Sequence, residues 1–334
     1  MDPVSHALLG AVSAHALARP PRRTAALAGA LGALVPDADV LIQSASDPLL
    51  TLEYHRHFTH ALPMAPLVAL APALLLWLIL RRRSAWRDLY VACLLGVLSA
   101  SLLDACTSYG VHLLWPFVEQ RHAWSIVAVV DPVMTLVLAV GLGLALKQDV
   151  GRRSRLALLA VAAYLALGWV QNERVRIAVL EHAAARGHDV ARLEVKPTLG
   201  NLILWRSIYR SGERYVVDAV RPGVSAGTQV YPGGIIERVD PVAAAAAVGA
   251  DSVLGRDIVR FAQQSDGFLV RHPERPDVLG DVRYALLPDS LKPLWGIRVD
   301  ATRPAAHAEF LTLREFGAAE RDHFLALLMG SRRP

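Results

Sequence analysis

Seven aspartate and histidine residues lie at or near the ends of apolar segments in the first half of this sequence. They are His6, Asp37, Asp39, His55, His60, Asp104 and Asp131. Acidic and imidazole side chains at the edge of a membrane are costly unless they are paired, hydrated or bound to a metal ion. Carboxylate oxygens and imidazole nitrogens together form the ligand set of a divalent-metal site. The sequence therefore predicts such a site in the first half of the chain.

Three histidines stand within six positions just before an apolar segment: His55, His57 and His60. A spacing of five puts His55 and His60 on different faces of a regular helix, so only a turn brings both to one ion. The alternative is an interfacial histidine cluster that contacts lipid headgroups.

Two carboxylates follow the helix-breaking residue Pro36, at Asp37 and Asp39. Such a pair lets one carboxylate bind an ion while the other orients a ligand or binds a second ion. Taken alone, the same residues are also typical of a solvated turn.

The remaining three candidates are single residues. Asp104 ends an apolar segment, where a helix dipole opposes a negative charge unless a cation compensates it. Asp131 lies in an apolar run, where placing a charged side chain in the membrane costs a few kcal/mol. It could belong to the site, or it could instead make a structural hydrogen bond or an ion pair with Arg121. His6 by itself is more typical of a packed histidine than of a ligand. His15 is placed nearer the opposite side and is given no role.

The elements that must position these residues are membrane helices. Four segments approach the roughly 20 apolar residues that a bilayer core requires, and two shorter ones precede them. The four are 61–80, 89–103, 126–146 and 156–170, and the short pair is 4–18 and 24–35. The fold prediction is an α-helical integral membrane domain over 1–172, with about four full spans and an N-terminal pair of short helices. A soluble α+β domain is predicted over 173–334.

Charge sets the expected orientation. Three connections between apolar segments hold eleven Lys or Arg, and the intervening loops hold only Arg56 and Arg121. The eleven are Arg19, Arg22, Arg23, Arg81, Arg82, Arg83, Arg87, Lys147, Arg152, Arg153 and Arg155. By the positive-inside rule these connections face the cytoplasm, so all seven site candidates and the C-terminal domain face outside. The net charge of +5 is thus a topology signal, and no nucleic-acid partner is expected.

The second half shows short alternating runs separated by turns. A β-hairpin is predicted from 201–209 and 214–220, with further strands at 267–271, 282–287 and 294–299. Helices are predicted at 241–250, 252–263 and 314–328.

Four motifs occur in order: His6-x-x-x-Gly10, Pro36-Asp37-x-Asp39, His55-Arg56-x-x-Thr59-His60 and Asp104-x-x-Thr107-x-x-Gly110. With them the first 130 or so residues resemble the membrane-bound metal-dependent hydrolase family related to the bacterial inner-membrane protein YdjM. A further stretch, Pro197-Thr198-x-x-Asn201-x-x-x-Trp205-Arg206, resembles the start of the soluble domain of longer members.

The resemblance implies a multi-pass protein of the cytoplasmic (inner) membrane with a hydrolytic metal site. The expected ligands are His55, His60, Asp39 and Asp104, with His6 and Asp37 in addition. Zn²⁺ is the first choice of ion, ahead of Mn²⁺ or Mg²⁺. Asp37 or Asp131 is the expected general base, and Arg56 is expected to meet an anionic substrate oxygen or to anchor to headgroups. A site at the membrane–water interface suggests an amphiphilic substrate, a phosphoester or lipid-linked molecule. The alternatives are a metal-binding scaffold or sensor, and a transporter with an acidic pathway.

Overall fold

The computed structural model describes residues 1–18, 22–80, 84–223, 227–315 and 317–330. It divides into two compact units. The helical unit comprises Met1–Ile42, Tyr54–Val170 and Leu199–Leu202, and the sheet unit comprises Gln43–Glu53, Gln171–Thr198 and Ile203–Pro334. Four of the cationic positions used for topology, Arg19, Arg81, Arg82 and Arg83, lie outside the described residues.

The described part of the first 185 residues is mainly helical, with 3-10 turns and an irregular segment at 106–131. The helices are α1 (Pro3–Leu17), α2 (Arg22–Leu34), α3 (Leu50–Tyr54), α4 (Ala65–Val68), α5 (Leu70–Leu80), α6 (Trp86–Ala105), α7 (Pro132–Gln148) and α8 (Gly151–Ala185). The 3-10 turns are Pro36–Leu41, Phe58–His60 and Leu62–Met64.

Among the described residues, four helical stretches are long and apolar enough to cross a membrane: Arg22–Leu41, Leu62–Leu80, Trp86–Ala105 and Gly151–Ala185. Three of them match predicted spans. The second apolar segment, predicted at 24–35, is α2, and together with the 3-10 turn at Pro36–Leu41 it forms the fourth stretch of sufficient length.

The structure also differs from the predicted membrane span at 126–146. Its helix, α7, begins only at Pro132 and has 17 residues, because Asp131 accepts a hydrogen bond from the backbone N–H of Met134 and caps the helix. Residues before it pair with the end of α6, where the N–H groups of Ile126 and Val127 donate to the carbonyl of Cys106. Asp131 therefore stands at a helix start and not inside a helix.

Within its described part, the sheet unit holds two four-stranded antiparallel sheets, ordered β1-β2-β3-β4 and β5-β6-β7-β8. The strands are β1 (Arg192–Pro197), β2 (Trp205–Ser211), β3 (Arg214–Arg221), β4 (Gln229–Glu237), β5 (Leu269–His272), β6 (Arg275–Asp281), β7 (Trp295–Arg298) and β8 (Glu309–Thr312). The helices are α9 (Pro241–Ala247), α10 (Val253–Gln264) and α11 (Ala318–Met329). Apolar helices followed by a two-sheet domain fit a membrane domain joined to a soluble one.

The predicted hairpin is confirmed as β2 and β3, paired from Trp205–Val220 to Ser211–Arg214. The prediction of a strand at 282–287 was wrong. There the chain turns, because the N–H of Arg283 donates to the side chain of Asp281 and that of Tyr284 to its carbonyl. The strand lies just before, in β6, whose Pro, Asp and Gly residues resemble a turn in sequence.

A candidate metal centre at the end of three helices

Close glycine contacts join α1, α2 and α6, the helices that carry His6, Asp37 and Asp104 toward one place. A Cβ atom added to Gly29 of α2 would lie 2.3 Å from the carbonyl oxygen of Gly10 in α1, and one added to Gly96 of α6 would lie 2.1 Å from that of Gly29. Small residues at such crossings let membrane helices approach backbone to backbone. The close crossings bring the ends of these helices, and therefore the site residues on them, near one another.

The centre of the site is formed by His6, Asp37, His60 and Asp104. His6 contacts Asp37 Oδ2 through Nδ1 and Asp104 Oδ1 through Nε2, each at 3.1 Å. His60 Nε2 lies 3.5 Å from Asp37 Oδ1 and 3.1 Å from Asp104 Oδ2. His6, His60 and Asp104 are fully buried, whereas the side chain of Asp37 is 21% exposed. Asp37 therefore marks the side of the cluster that is open to solvent, which we call the mouth of the site. Four of the six predicted ligands are thus brought together.

Two polar atoms of this group have no hydrogen-bond partner in the described part of the chain: His60 Nε2 and Asp104 Oδ2. They are buried and face each other at 3.1 Å, at an angle that makes no hydrogen bond. Ligands around a tetrahedral Zn²⁺ at 2.0–2.1 Å lie about 3.3 Å apart. The contacts of 3.1 to 3.5 Å between these residues are near that value, although His6 makes its two contacts through opposite ring nitrogens, only one of which can bind a given ion. One donor atom from each of His6, Asp37 and Asp104 lies within 4.8 Å of the others, and this set fits a divalent ion.

Asp39 organises the turn that carries the histidines. It is 1% exposed; its Oδ2 accepts from the backbone N–H of Arg56 at 2.6 Å and from Thr59 Oγ1 at 3.3 Å. Its Oδ1 lies 3.1 Å from His55 Nδ1, and its Oδ2 lies 3.5 Å from His60 Nδ1. A carboxylate behind a histidine fixes the ring so that the opposite nitrogen points at an ion. The predicted turn between His55 and His60 is present, as the 3-10 turn at Phe58–His60.

Arg56 connects this turn to the end of α6. Its backbone has a φ of +58°, a strained region for a residue with a side chain. Its guanidinium lies 3.1 Å from Asp104 Oδ1 and donates to Thr107 Oγ1 at 3.1 Å. Thr107 also donates to the carbonyl of Asp104 at 2.8 Å. Thr107 has no predicted role from the sequence, although it stands at a fixed position of the fourth motif.

Cationic groups surround Asp104 in the centre of the site. Asp104 meets the guanidinium of Arg56 and also contacts the ammonium of Met1. Burial acts to lower the pKa of His60, but its contacts with Asp104 and Asp37 outweigh burial and raise that pKa. Asp104 is thus already paired with positive charge in this structure, and a bound ion would share or replace those contacts.

Asp131 lies apart from this cluster in its contacts. Its Oδ1 caps α7, and its Oδ2 accepts from Tyr164 Oη at 2.7 Å. It is fully buried, and both oxygens are satisfied. These bonds match the alternative in which Asp131 makes structural hydrogen bonds. Arg121, the ion-pair partner considered for Asp131, has its guanidinium over the ring of Tyr109, 4.7 Å from the centroid.

A second group in the sheet unit, Asp47, Asp257 and His307, also brings acidic and imidazole atoms together. Arg260 already lies among them, 2.8 Å from Asp47 and 2.9 Å from Asp257. Arg260 pairs with both carboxylates, so in this structure the group is an ion-pair cluster.

Apolar helices that end in a buried Asp/His cluster define a multi-pass membrane protein with a candidate metal centre. The chain belongs to the YdjM inner membrane protein family, whose model matches residues 1–175. That match supports association with a lipid bilayer and a multi-pass location in the inner membrane. Neither a curated protein nor a solved structure matches the chain.

Proposed function

We propose that this protein is a membrane-bound metal-dependent hydrolase, with Zn²⁺ as the first choice of ion and Mn²⁺ or Mg²⁺ as alternatives. The observation that carries the proposal is the facing pair His60 Nε2 and Asp104 Oδ2, two buried atoms without hydrogen-bond partners in the described residues. Unpaired buried donors and acceptors are costly, and a shared cation removes that cost.

In this proposal His6, Asp37, His60 and Asp104 hold the ion. Asp39, together with Thr59, orients His60 from behind, and His55 is either a ligand of a second ion beside Asp39 or part of the same orienting group. When bound, the metal supplies a water of lowered pKa and polarises the bond to be broken.

In this proposal Asp37 binds the ion through one carboxylate oxygen, and its second oxygen is the general base. Of the three clustered carboxylates it is the exposed one, because Asp39 and Asp104 have side chains with no exposed surface. An accessible carboxylate can take a proton from a water at the opening of the site and release it to solvent. Asp131, with both oxygens bonded, is assigned to capping α7.

Arg56 is assigned to positioning Asp104 rather than to meeting substrate. Its terminal nitrogens contact Asp104 and Thr107, and the residue is 4% exposed. Its charge offsets part of the carboxylate repulsion around the ion.

The positive-inside count favours a site at the outer face of the cytoplasmic membrane and an extracytoplasmic C-terminal domain. Single cysteines test this orientation, since Cys93 and Cys106 are buried. We expect Asp251→Cys to react with a membrane-impermeant thiol reagent in intact spheroplasts and Arg87→Cys to react only after lysis. The reverse pattern contradicts the orientation.

The substrate suggested by a site at the membrane–water interface is amphiphilic: a phosphoester or lipid-linked molecule. Hydrolysis of a panel of lipid phosphoesters, with and without Zn²⁺ or Mn²⁺, tests the activity.

Metal analysis tests the site itself, comparing wild type with the His55→Ala, His60→Ala double variant. His307→Ala is the matched control, since His307 belongs to the cluster filled by Arg260. Wild type without stoichiometric metal in chelator-free buffer contradicts the proposal.

A transporter is a second candidate, because α1 carries another buried polar group. His15 is fully buried, 2.9 Å from Ser154 Oγ and 3.6 Å from Asp149. Gly10 and Val12, buried between His6 and His15, argue against a water path, and Gly10 packs on the backbone of Gly29.

A scaffold or sensor is the remaining alternative. Stoichiometric metal without hydrolysis of any tested phosphoester favours it.

A further inference from the structure

A ten-residue loop, 112–121, is closed at its base by a pair of backbone hydrogen bonds. Val111 donates to the carbonyl of His122 at 3.0 Å and His122 donates to that of Val111 at 2.8 Å. The His112 ring closes the loop again, since its Nδ1 donates to the carbonyl of Glu119 at 2.6 Å. We call residues 111–122 the closed loop.

Apolar side chains are exposed at the tip of the closed loop. Phe117 is 81% exposed, and Leu114 and Val118 are 39% and 38% exposed. Two backbone bonds fold the tip, from Phe117 and from Val118 to the carbonyl of Leu114. An isolated exposed apolar residue needs no explanation, but three on one compact turn indicate an interaction surface.

The base of the closed loop is tied to the ends of two candidate spans. The N–H of Leu62, where Leu62–Leu80 begins, donates to the carbonyl of Leu113 at 2.9 Å. Just beyond the loop, the N–H of Trp124 donates to the carbonyl of Ala105, where Trp86–Ala105 ends. Chain ends of membrane helices lie at the membrane–water interface, so these bonds hold the loop at that level.

The side chains around the tip suit an interface. Trp115 packs against His57, with ring centroids 5.4 Å apart, and Trp124 is 41% exposed. Tryptophan is enriched where hydrocarbon meets headgroups. The His112 ring of the loop carries no charge at neutral pH, because burial together with the charge of Arg121 lowers its pKa to about 4.

We infer that the tip of the closed loop, Leu114, Phe117 and Val118, inserts into the bilayer leaflet on the same side as the metal centre. The same loop is bonded to the site, because the N–H of His112 donates to the carbonyl of Arg56 at 3.2 Å. Insertion thus holds the Arg56–His60 turn at headgroup depth. The inference needs neither a bound metal nor hydrolysis, so it stands or fails independently of the proposed activity.

Site-directed fluorescence tests it on the full chain. Phe117→Cys is labelled with an environment-sensitive fluorophore and reconstituted into phosphatidylethanolamine and phosphatidylglycerol vesicles, with and without lipids that carry a nitroxide high on the acyl chain. Because the quencher lipid occupies both leaflets, the orientation of the protein in the vesicle does not matter. Val118→Cys repeats the measurement at a neighbouring tip residue, and Asp251→Cys is the control on the sheet unit.

We expect blue-shifted emission and loss of fluorescence with nitroxide lipid at positions 117 and 118, and water-like emission quenched by iodide at position 251. Water-like, iodide-quenched emission at both tip positions overturns the inference. Protection of both positions from lipid and iodide quenchers alike also overturns it, because the tip is then covered by protein.

Discussion

Asp39 Oδ2 accepts a hydrogen bond of 2.6 Å from the backbone N–H of Arg56, a residue whose φ is +58°. One buried carboxylate therefore holds a strained backbone position while also lying 3.5 Å from the ring of His60. In this arrangement Asp39 fixes the shape of the turn that presents His60, and Arg56 connects the turn to Asp104.

Asp39 and Asp104 should consequently fail in different ways when changed to alanine. Asp39→Ala leaves the N–H of Arg56 without an acceptor but removes no proposed central ligand, so we expect metal to bind about 10- to 100-fold more weakly, as for other orienting groups. Asp104→Ala removes a ligand and should abolish stoichiometric binding. Competitive metal titration of the purified variants distinguishes these outcomes. Equal loss in both variants would make Asp39 a ligand.

The glycine crossing gives a second prediction. At Gly29→Ala the new Cβ meets the Gly10 carbonyl oxygen at 2.3 Å, so the helices must separate, at a cost of about 1–3 kcal/mol for overpacking. Gly143→Ala is the matched control, since a Cβ there meets nothing within 4 Å. Thermal unfolding in detergent should show a lower midpoint for Gly29→Ala alone, accompanied by weaker metal binding. An unchanged midpoint would mean that the crossing does not hold the site together.

Much of the centre was accessible from sequence because its residues follow chemical rules that need no tertiary information. Acids and histidines at the ends of apolar runs are expensive, so the order of residues along the chain is enough to select the seven candidates. Sequence put His55 and Asp39 ahead of His6 and Asp37 as ligands, whereas the structure brings His6 and Asp37 together with His60 and Asp104. Asp131 obeys the same rule, yet it caps α7. Its neighbour Pro132 is the signal, because proline is favoured in the first turn of a helix and an aspartate before it is a typical cap.

The sequence did not indicate which role each residue has inside the cluster. It also did not indicate which segments belong to which of the two units. Whether Asp37 or Asp39 faces solvent depends on how the turn at Pro36–Leu41 packs, which no spacing encodes. Residues 43–53 belong to the sheet unit although they lie between two site motifs, because Leu49 packs with Ile258 and Phe261 and Arg260 binds Asp47 and Glu53. Such long-range contacts leave no local pattern.

The Arg260 cluster predicts a pH dependence for the sheet unit. The hydrogen bonds of Arg260 hold the pKa of Asp47 below its usual value of 3.8. A carboxylate with a lowered folded-state pKa stabilises the fold above its unfolded pKa, and this contribution is lost as the pH falls through the folded value. Arg260→Met should therefore lower the free energy of unfolding at pH 7 by about 1–3 kcal/mol per charged hydrogen bond lost.

Below pH 4 the difference between wild type and Arg260→Met should shrink as Asp47 is protonated. Urea unfolding of the full chain across this pH range measures it. Arg214→Met is the control, because Arg214 and Glu237 form an exposed pair, 62% and 70% exposed, whose contribution at any pH is small. A difference that stays constant from pH 7 to pH 3 would exclude the titration of Asp47 as its source.

Asp37 and Asp131 are separated by the last prediction, which rests on the proposed hydrolysis. Asp37→Asn keeps the shape of the side chain but removes its basicity, so turnover should fall by about 10²–10⁴-fold, the usual contribution of a general base. Asp131→Asn keeps an oxygen that can cap α7 and should leave turnover near that of wild type. Asp131→Ala removes the cap and should cost about 0.5–2 kcal/mol of stability with metal content unchanged. Rates with the best lipid phosphoester, measured at saturating metal and beside the thermal midpoints, check all three. If Asp131→Asn loses turnover while its midpoint and metal content are preserved, the base is Asp131 and the assignment of Asp37 is wrong.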